Sequence, residues 1–214
     1  MAHYRKTSDL PATLPIFPLP GAVLFPRWEL PLNIFEPRYL NMIDDAMRGD
    51  RLIGMVQSLG GPRDRPEIAH VGCAGRLTNY NETDDGRYLI TLTGICRFAV
   101  QQENDVTTPY RQIAADWDRF GADLFAAPDT GLPDRDELVL ALRHYVTTHN
   151  LQADWSAVEG APMETLVHVL AAGCPFTPAE KQALLEALTL ADRARALIAL
   201  LEISGSGGDG GPVQ

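Results

Sequence analysis

The side chains that most often carry catalysis are sparse in this chain and are not spaced for it. Its only lysines are Lys6 and Lys181. A Ser-Lys hydrolase needs a buried, neutral lysine beside a serine, whereas Lys181 falls in the first turn of an amphipathic helix and Lys6 in a terminal segment. A P-loop needs upstream glycines and a lysine followed by Ser or Thr. Lys6-Thr7 lacks the glycines and Gln182 follows Lys181, so neither lysine supports ATP hydrolysis or proteolysis.

Histidines, cysteines and glycines offer no stronger candidate. Glu164 and His168 are four residues apart on one helix face, but with no third ligand nearby in sequence the spacing is more typical of an ordinary helix pair. Cys174 follows a helix end, where the helix dipole disfavours a thiolate. Residues 205–210 match a dinucleotide fingerprint only formally, because a helix precedes them and none follows. We therefore expect no catalytic residue, no metal and no cofactor, and a protein that is not an enzyme.

Length and composition indicate a globular protein with its own core. The chain has 214 residues, of which 45% are hydrophobic and 21% charged, and a chain this long needs neither disulfides nor a metal to fold. Its net charge of −10 disfavours nucleic-acid and anionic-membrane binding, which rely on clustered Lys and Arg. Cys73, Cys96 and Cys174 have no Cys-x-x-Cys spacing, and no apolar run is long enough to span a bilayer. These features predict a cytoplasmic protein.

The spacing of apolar residues changes along the chain and predicts two domains. Residues 13–120 contain short β-branched and aromatic runs separated by Pro and Gly, which predict strands. The runs are 14–19, 23–25, 30–35, 52–56, 68–77, 87–100 and 110–117. Asp84-Asp85-Gly86 predicts a tight hairpin turn. One helix is expected within this region, beginning at Pro37 and ending at Gly49.

The second half of the chain has the 3.6-residue period of helices. Residues 121–133 are rich in Gly and Pro and are interpreted as a linker. Helices are then expected to begin near Asp134, Pro162, Thr177 and Thr189, where capping residues stand, which gives a helical bundle over residues 134–203. Residues 1–12 are predicted to be a flexible N-terminus and residues 204–214 a disordered Gly-rich tail. The predicted fold class is α+β.

Several short motifs occur in a fixed order between residues 14 and 201. The first set reads Ile16-Phe17-Pro18-Leu19, Val23-Leu24-Phe25-Pro26 and Leu30-Pro31-Leu32-Asn33-Ile34-Phe35-Glu36-Pro37-Arg38-Tyr39. The later set reads Val71-Gly72-Cys73-Ala74-Gly75-Arg76, Asp85-Gly86-Arg87-Tyr88, Gly94-Ile95-Cys96-Arg97-Phe98, Pro109-Tyr110 and Pro178-Ala179-Glu180-Lys181-Gln182-Ala183-Leu184-Leu185-Glu186. Together they resemble the N-terminal substrate-binding domain of the ATP-dependent protease Lon.

This resemblance implies a β-rich, PUA-like pseudo-barrel followed by a helical bundle, in agreement with the change of period. It also implies a non-catalytic module of protein quality control that binds exposed apolar segments of unfolded or damaged proteins. A full Lon protease carries its ATPase and protease domains downstream. The present sequence is similar to a free-standing bacterial form without them, with polypeptides as partners and with neither nucleic acid nor membrane.

Two other functions remain open from the sequence. RNA binding is one, since PUA-like folds often serve it, although the negative charge and the lack of a basic stripe argue against it. An undetected hydrolase is the other, although no nucleophile and base stand together in sequence. The identity of clients and the oligomeric state are not specified by the sequence.

Exposed aromatic rings are the best sequence candidates for peptide binding, because they offer apolar surface at low entropic cost. Trp28 lies in a polar connection between Arg27 and Glu29, and Trp117 lies between Asp116 and Asp118 at the end of the last predicted strand. We predict that both contact a client; the alternative for Trp28 is a ring that folds back to cap the barrel. The family motif is instead interpreted as structural, with Pro37 starting a helix; its residues are Ile34, Phe35, Glu36, Pro37, Arg38 and Tyr39.

Overall fold

A computed structural model describes residues 4–62 and 65–206 of the chain. Contacts divide it into two compact units. The sheet unit comprises Met1–Ala126 and Thr177–Leu185, and the helical unit comprises Ala127–Phe176 and Glu186–Gln214.

Within the described residues, the strands are β1 (Thr13–Pro18), β2 (Glu29–Ile34), β3 (Leu52–Val56), β4 (Ser58–Gly60), β5 (Glu67–Ile68), β6 (Val71–Glu82), β7 (Tyr88–Glu103) and β8 (Gln112–Asp116). The helices are α1 (Pro37–Arg48), α2 (Arg135–Thr148), α3 (Trp155–Gly160), α4 (Met163–Gly173), α5 (Pro178–Glu186) and α6 (Leu190–Ser206), with 3₁₀ helices at Thr7–Asp9 and Asp118–Leu124. Strands followed by helices give the predicted α+β class, which is confirmed.

The sheet unit is built on a closed barrel. The strand order is β2-β7-β6-β3-β1-β8, and β8 also pairs with β7. Since β8 pairs with both β1 and β7, the strands β7, β6, β3, β1 and β8 form a ring, and β2 flanks the first half of β7. Only β1 and β3 run parallel among these pairs. Leu14, Ile16 and Phe98 are fully buried and fill the interior of this unit.

In the structure, most elements of the sheet unit lie where the sequence predicts them. Helix α1 begins at Pro37 and has Gly49 as its C-cap. The β6–β7 hairpin turns at Gly86, whose positive φ of 76° favours glycine. The prediction of a strand at residues 23–25 is wrong: these residues are buried but belong to a loop that crosses β7 instead of pairing along it.

Gly94 is the point at which that loop crosses β7. Its amide donates to the Trp28 carbonyl at 2.8 Å, and its carbonyl accepts from the Arg27 amide at 2.8 Å. A Cβ at Gly94 would overlap the Phe25 carbonyl. The backbone of the loop therefore approaches β7 so closely that only glycine, which has no side chain, fits at position 94.

Gly94→Ala is therefore expected to lower the free energy of unfolding by about 1–3 kcal/mol, because two backbones must separate to admit one methyl group. Urea denaturation measures this loss. Gly160→Ala is the matched control, because a Cβ at that helical position meets no atom within 4 Å. Equal urea midpoints for Gly94→Ala and Gly160→Ala would show that the loop and β7 separate at position 94 without a loss of free energy of unfolding.

Helix α5 packs in the sheet unit, which corrects the prediction that it belongs to a bundle over residues 134–203. The predicted capping box forms: the Thr177 amide donates to Glu180 at 2.7 Å and the Glu180 amide to Thr177 Oγ1 at 3.3 Å. Buried Gln57 donates from Nε2 to the Pro178 carbonyl at 2.8 Å, and Gln182 Nε2 donates to the Val71 carbonyl at 3.0 Å. These bonds satisfy polar groups of the barrel that would otherwise be buried unpaired.

The helical unit is formed by α2, α3, α4 and α6. Leu138 and Leu142 of α2 and Leu197 and Leu201 of α6 are buried at helical spacing, as the periodicity predicts. Thr189 and Asp192 cap α6, with the Asp192 amide donating to Thr189 Oγ1 at 3.0 Å. The sequence did not predict α3.

Three terminal or linking segments differ from the sequence prediction. Residues 7–9 form a 3₁₀ turn and Leu10 is buried, so the described part of the predicted flexible N-terminus is folded. The 3₁₀ helix Asp118–Leu124 occupies the start of the predicted linker, and the contact-based boundary falls after Ala126. Helix α6 continues through Ser206, so residues 204–206 are helical, while the rest of the predicted tail, 207–214, lies outside the described residues.

Candidate functional site

The family motif at residues 34–39 holds β2 and α1 in place. Ile34 is 1% exposed and Tyr39 is 6% exposed, with the Tyr39 ring 4.3 Å from that of Phe17. Burial raises the pKa of the Tyr39 phenol, which stays neutral at physiological pH. These contacts support the structural role predicted for the motif.

Three further residues of the motif complete the turn into α1. Glu36 precedes Pro37, the first residue of the helix. Arg38 pairs with Glu36 at 2.9 Å and lies over the Tyr39 ring at 4.6 Å. Phe35 departs from this pattern, because it is 61% exposed and contributes little to the core.

Trp28 lies at the crossing of the loop over β7 and is half-buried. Its amide donates to the Phe25 carbonyl at 3.1 Å and its carbonyl accepts from Gly94. The backbone is therefore fixed, while part of the ring remains accessible. This placement is compatible with contact to a client and equally with covering the barrel.

Trp117 is not at the surface, so the prediction of an exposed ring there is wrong. It is 6% exposed, its ring packs against Phe98 at 5.6 Å, and its Nε1 donates to the Pro11 carbonyl at 3.0 Å. The flanking aspartates at the end of the predicted strand suggested an accessible ring, but directly after β8 the Trp117 side chain packs inward. Trp117 belongs to the core of the sheet unit.

An apolar concave surface lies in the helical unit. It is a pocket of about 540 Å³, within the size range of sites that bind small apolar groups. Helices α2, α3 and α4 and the loop before α3 form its walls. Its apolar lining residues are Leu142, Tyr145, Val146, Leu151, Ala153, Ala157, Val158, Ala161, Leu166, Val169, Leu170, Cys174 and Pro175, and its polar ones are Gln152, Asp154, Thr165 and Gly173.

The pocket combines a buried floor with an accessible rim. Leu142, Leu166 and Tyr145 are almost fully buried and give it a fixed base. Val169 is 38% exposed and Leu151 is 42% exposed, so both present apolar surface to solvent. Exposed aliphatic side chains beside a concave apolar surface are typical of an interaction site.

Asp154 holds the wall formed by α3. Its Oδ1 accepts from the Ser156 amide at 3.1 Å, the Ala157 amide at 3.1 Å and the Ser156 hydroxyl at 2.8 Å. These hydrogen bonds hold the pKa of the Asp154 carboxyl below its ordinary value, with the Ser156 hydroxyl as the largest cause. The carboxylate is thus a fixed negative charge at the N-terminus of α3.

Sequence reasoning missed this pocket, although one signal was present. Residues 166–172 of α4 are apolar around nearly the whole helix, apart from His168. A helix that is apolar on every side needs more than one covering surface. In the helical unit one side of α4 is covered by other helices, and Val169 and Leu170 are left lining the pocket.

Within residues 4–62 and 65–206, no group of three or more His, Cys, Asp or Glu side chains is placed to hold a metal ion. No helix in those same ranges is both long and apolar enough to cross a membrane. Cys73, Cys96 and Cys174 are buried and form no disulfide, and burial raises the pKa of Cys96 to about 12, so this thiol is protonated and unreactive at neutral pH.

The fold and the pocket thus define an α+β protein with an apolar recess in its helical unit. The model of the ATP-dependent protease La (LON) substrate-binding domain matches residues 13–202, and the chain belongs to this family. Lon protease 2 of Myxococcus xanthus is 26% identical over 204 residues, which cover 90% of this chain and 24% of that protein. The Lon protease of Desulfosudis oleivorans is 31% identical over 113 residues, covering 50% of this chain and 14% of that protein.

Two solved structures share the fold. The Lon N-terminal domain protein from Xanthomonas campestris has a TM-score of 0.59 and 23% identity, and the alignment covers 87% of this chain and 97% of that one. The N-terminal domain of Mycobacterium avium complex Lon protease also has a TM-score of 0.59, with 13% identity, and the alignment covers 88% of this chain and 97% of that one. The chain spans about a quarter or less of the curated relatives it matches.

Proposed function

We propose that this protein is a polypeptide-recognition module that binds exposed apolar segments of unfolded or damaged proteins. Membership of the Lon substrate-binding family supports recognition of protein substrates. The observation that carries the finer proposal is the apolar pocket of the helical unit, with Val169 and Leu151 exposed at its rim. Folded proteins bury such side chains, so a site of this kind discriminates in favour of chains that expose them.

The size of the pocket suits one or two apolar side chains of a client. Burying one leucine or phenylalanine side chain stabilises a complex by about 1.5–3 kcal/mol, which is partly offset by ordering of the client chain. Binding at one such site is therefore weak and reversible. That is appropriate for a module that samples many polypeptides.

The proposal includes the absence of catalysis and a cytoplasmic location. The three cysteines are buried and form no disulfide, and Lys181 donates to the Gly21 carbonyl at 3.2 Å. The net charge of −10 supports polypeptides instead of nucleic acid as partners. Trp28 remains a proposed second contact, located on the sheet unit.

Val169→Asp tests the pocket directly. A carboxylate at the rim must be desolvated when an apolar client side chain enters, so we expect the affinity for an unfolded apolar peptide to fall about tenfold or more. Fluorescence anisotropy with a labelled peptide measures the dissociation constant. Circular dichroism checks that the helical content is unchanged.

Leu140→Asp is the matched control. Leu140 is 70% exposed on α2 and does not line the pocket, so the same charge is introduced into the same unit at another site. Its affinity for the peptide should equal that of the unchanged protein. If both variants bind as the unchanged protein does, or if no unfolded peptide binds at all, the proposed function is wrong.

A further inference from the structure

The charge that lines the apolar pocket is negative. Of the described residues that line it, none is Lys, Arg or His, and one, Asp154, carries a carboxylate. That carboxylate is ionised and held in position by the amides of Ser156 and Ala157. An apolar side chain entering the pocket therefore brings its flanking residues close to a fixed negative charge.

The two arginines of α2 both have partners on α3. Arg143 lies over the Trp155 ring at 4.2 Å and pairs with Glu159 at 3.8 Å. Arg135 donates to the carbonyls of Val158 and Glu159, near the C-terminal end of that helix. The partners of Arg135 thus lie near the C-terminal end of α3. Arg143 lies over Trp155, the first residue of α3 and the neighbour of Asp154, and its ion pair is with Glu159.

The charge of the whole helical unit has the same sign. Its sequence contains four basic and eleven acidic side chains, a net charge of −7, out of −10 for the chain. A surface with this excess of negative charge attracts cationic groups and repels anionic ones over about one Debye length. The local and the overall fields therefore favour the same kind of client.

From these observations we infer that the pocket selects apolar segments in which the inserted side chain is flanked by Lys or Arg, and that Asp154 is the residue that determines this preference. The inference rests on the proposed function, because it specifies the client of the same pocket. The apolar side chain supplies the affinity, and the flanking cation pairs with the Asp154 carboxylate.

Three labelled peptides test the preference. They share one apolar core and differ only in their flanks, which are Lys, Gln or Glu. At pH 8, where histidines are neutral, and about 0.01 M salt, the Lys-flanked peptide should bind about threefold tighter than the Gln-flanked one. The Glu-flanked peptide should bind more weakly still. At about 1 M salt, where the Debye length is only about 3 Å, the three affinities should converge.

Asp154→Asn assigns the preference to one side chain. Asparagine caps a helix about as well as aspartate, so α3 is kept while the charge is removed, and the Lys-flanked and Gln-flanked peptides should then bind nearly equally. Glu137→Gln is the matched control, because Glu137 is exposed in the first turn of α2 and does not line the pocket. It removes the same charge from the same unit and should leave the preference intact.

The outcomes separate the inference from the proposed function. If apolar peptides bind but their flanks make no difference at low salt, the inference is wrong and the proposed function stands. If Glu137→Gln abolishes the preference as fully as Asp154→Asn, the overall field selects clients and Asp154 does not. If light scattering shows a dimer that Val169→Asp dissociates, a second copy occupies the pocket and the inference is overturned.

Discussion

Asp123→Ala is expected to lower the free energy of unfolding of the sheet unit by about 3–5 kcal/mol, because it leaves a buried guanidinium without its counter-ion. Arg97 is 3% exposed in its side chain and Asp123 is 11% exposed. Asp123 accepts from the Arg97 amide at 3.0 Å, from Nε at 2.8 Å and from Nη2 at 2.8 Å. Arg97 Nη1 also donates to the Leu185 carbonyl at 2.9 Å, so one side chain joins β7, the 3₁₀ helix Asp118–Leu124 and α5.

Urea denaturation in a Trp155→Phe background measures this loss. The chain has three tryptophans, and after removal of Trp155 the remaining two, Trp28 and Trp117, both report on the sheet unit. Asp85→Ala is the control, because both side chains of the Asp85–Arg87 pair are more than half exposed and exposed ion pairs contribute little to stability. A loss for Asp123→Ala no larger than that of Asp85→Ala would mean that solvent reaches Arg97 once its partner is gone.

Local signals in the sequence predict the elements whose ends are set by backbone geometry. Pro37 and Gly49 bound α1, Gly86 turns the β6–β7 hairpin, and the Thr177–Glu180 capping box starts α5. Each of these depends on a few adjacent residues and on a conformational preference that holds in any fold. The sequence therefore specifies where such elements begin and turn.

Long-range contacts explain the elements that were predicted incorrectly. The run at residues 23–25 has the composition of a strand, but the loop crosses β7 at Gly94, and only the three-dimensional arrangement reveals that crossing. From sequence alone, helix α5 is expected to be one more member of the helical bundle. In the structure Gln57, 121 residues away from Pro178, donates a hydrogen bond to the Pro178 carbonyl at the start of this helix. The apolar pocket likewise depends on the relative placement of α2, α3 and α4, which no single helix encodes.

The two tryptophans chosen from the sequence also show that neighbouring residues alone do not reveal long-range packing. Charged neighbours flank both residues, Arg27 and Glu29 around Trp28 and Asp116 and Asp118 around Trp117, so both were proposed as contacts for a client. The structure separates them by the partners of their side chains: Trp117 has Phe98 and the Pro11 carbonyl, whereas the ring of Trp28 is only half-buried. Binding and stability should therefore respond differently to the loss of each ring.

Trp117→Ala is accordingly expected to lower the free energy of unfolding of the sheet unit by about 3–5 kcal/mol, the cost of removing a buried aromatic ring and leaving a cavity. Affinity for an apolar peptide should not change under conditions where the variant stays folded. Urea denaturation in the Trp155→Phe background measures the first effect, with the fluorescence of Trp28 as the reporter, and peptide anisotropy measures the second.

Trp28→Ala provides the comparison, with Trp117 as its reporter. Because Trp28 is partly exposed whereas Trp117 is buried, the loss of stability should be smaller, and peptide affinity should fall if Trp28 is a second contact for clients. Equal losses of stability for the two variants would place Trp28 in the core and remove it as a binding residue. Reduced peptide affinity for folded Trp117→Ala, with little loss of stability, would instead restore Trp117 as a surface residue and contradict the packing against Phe98.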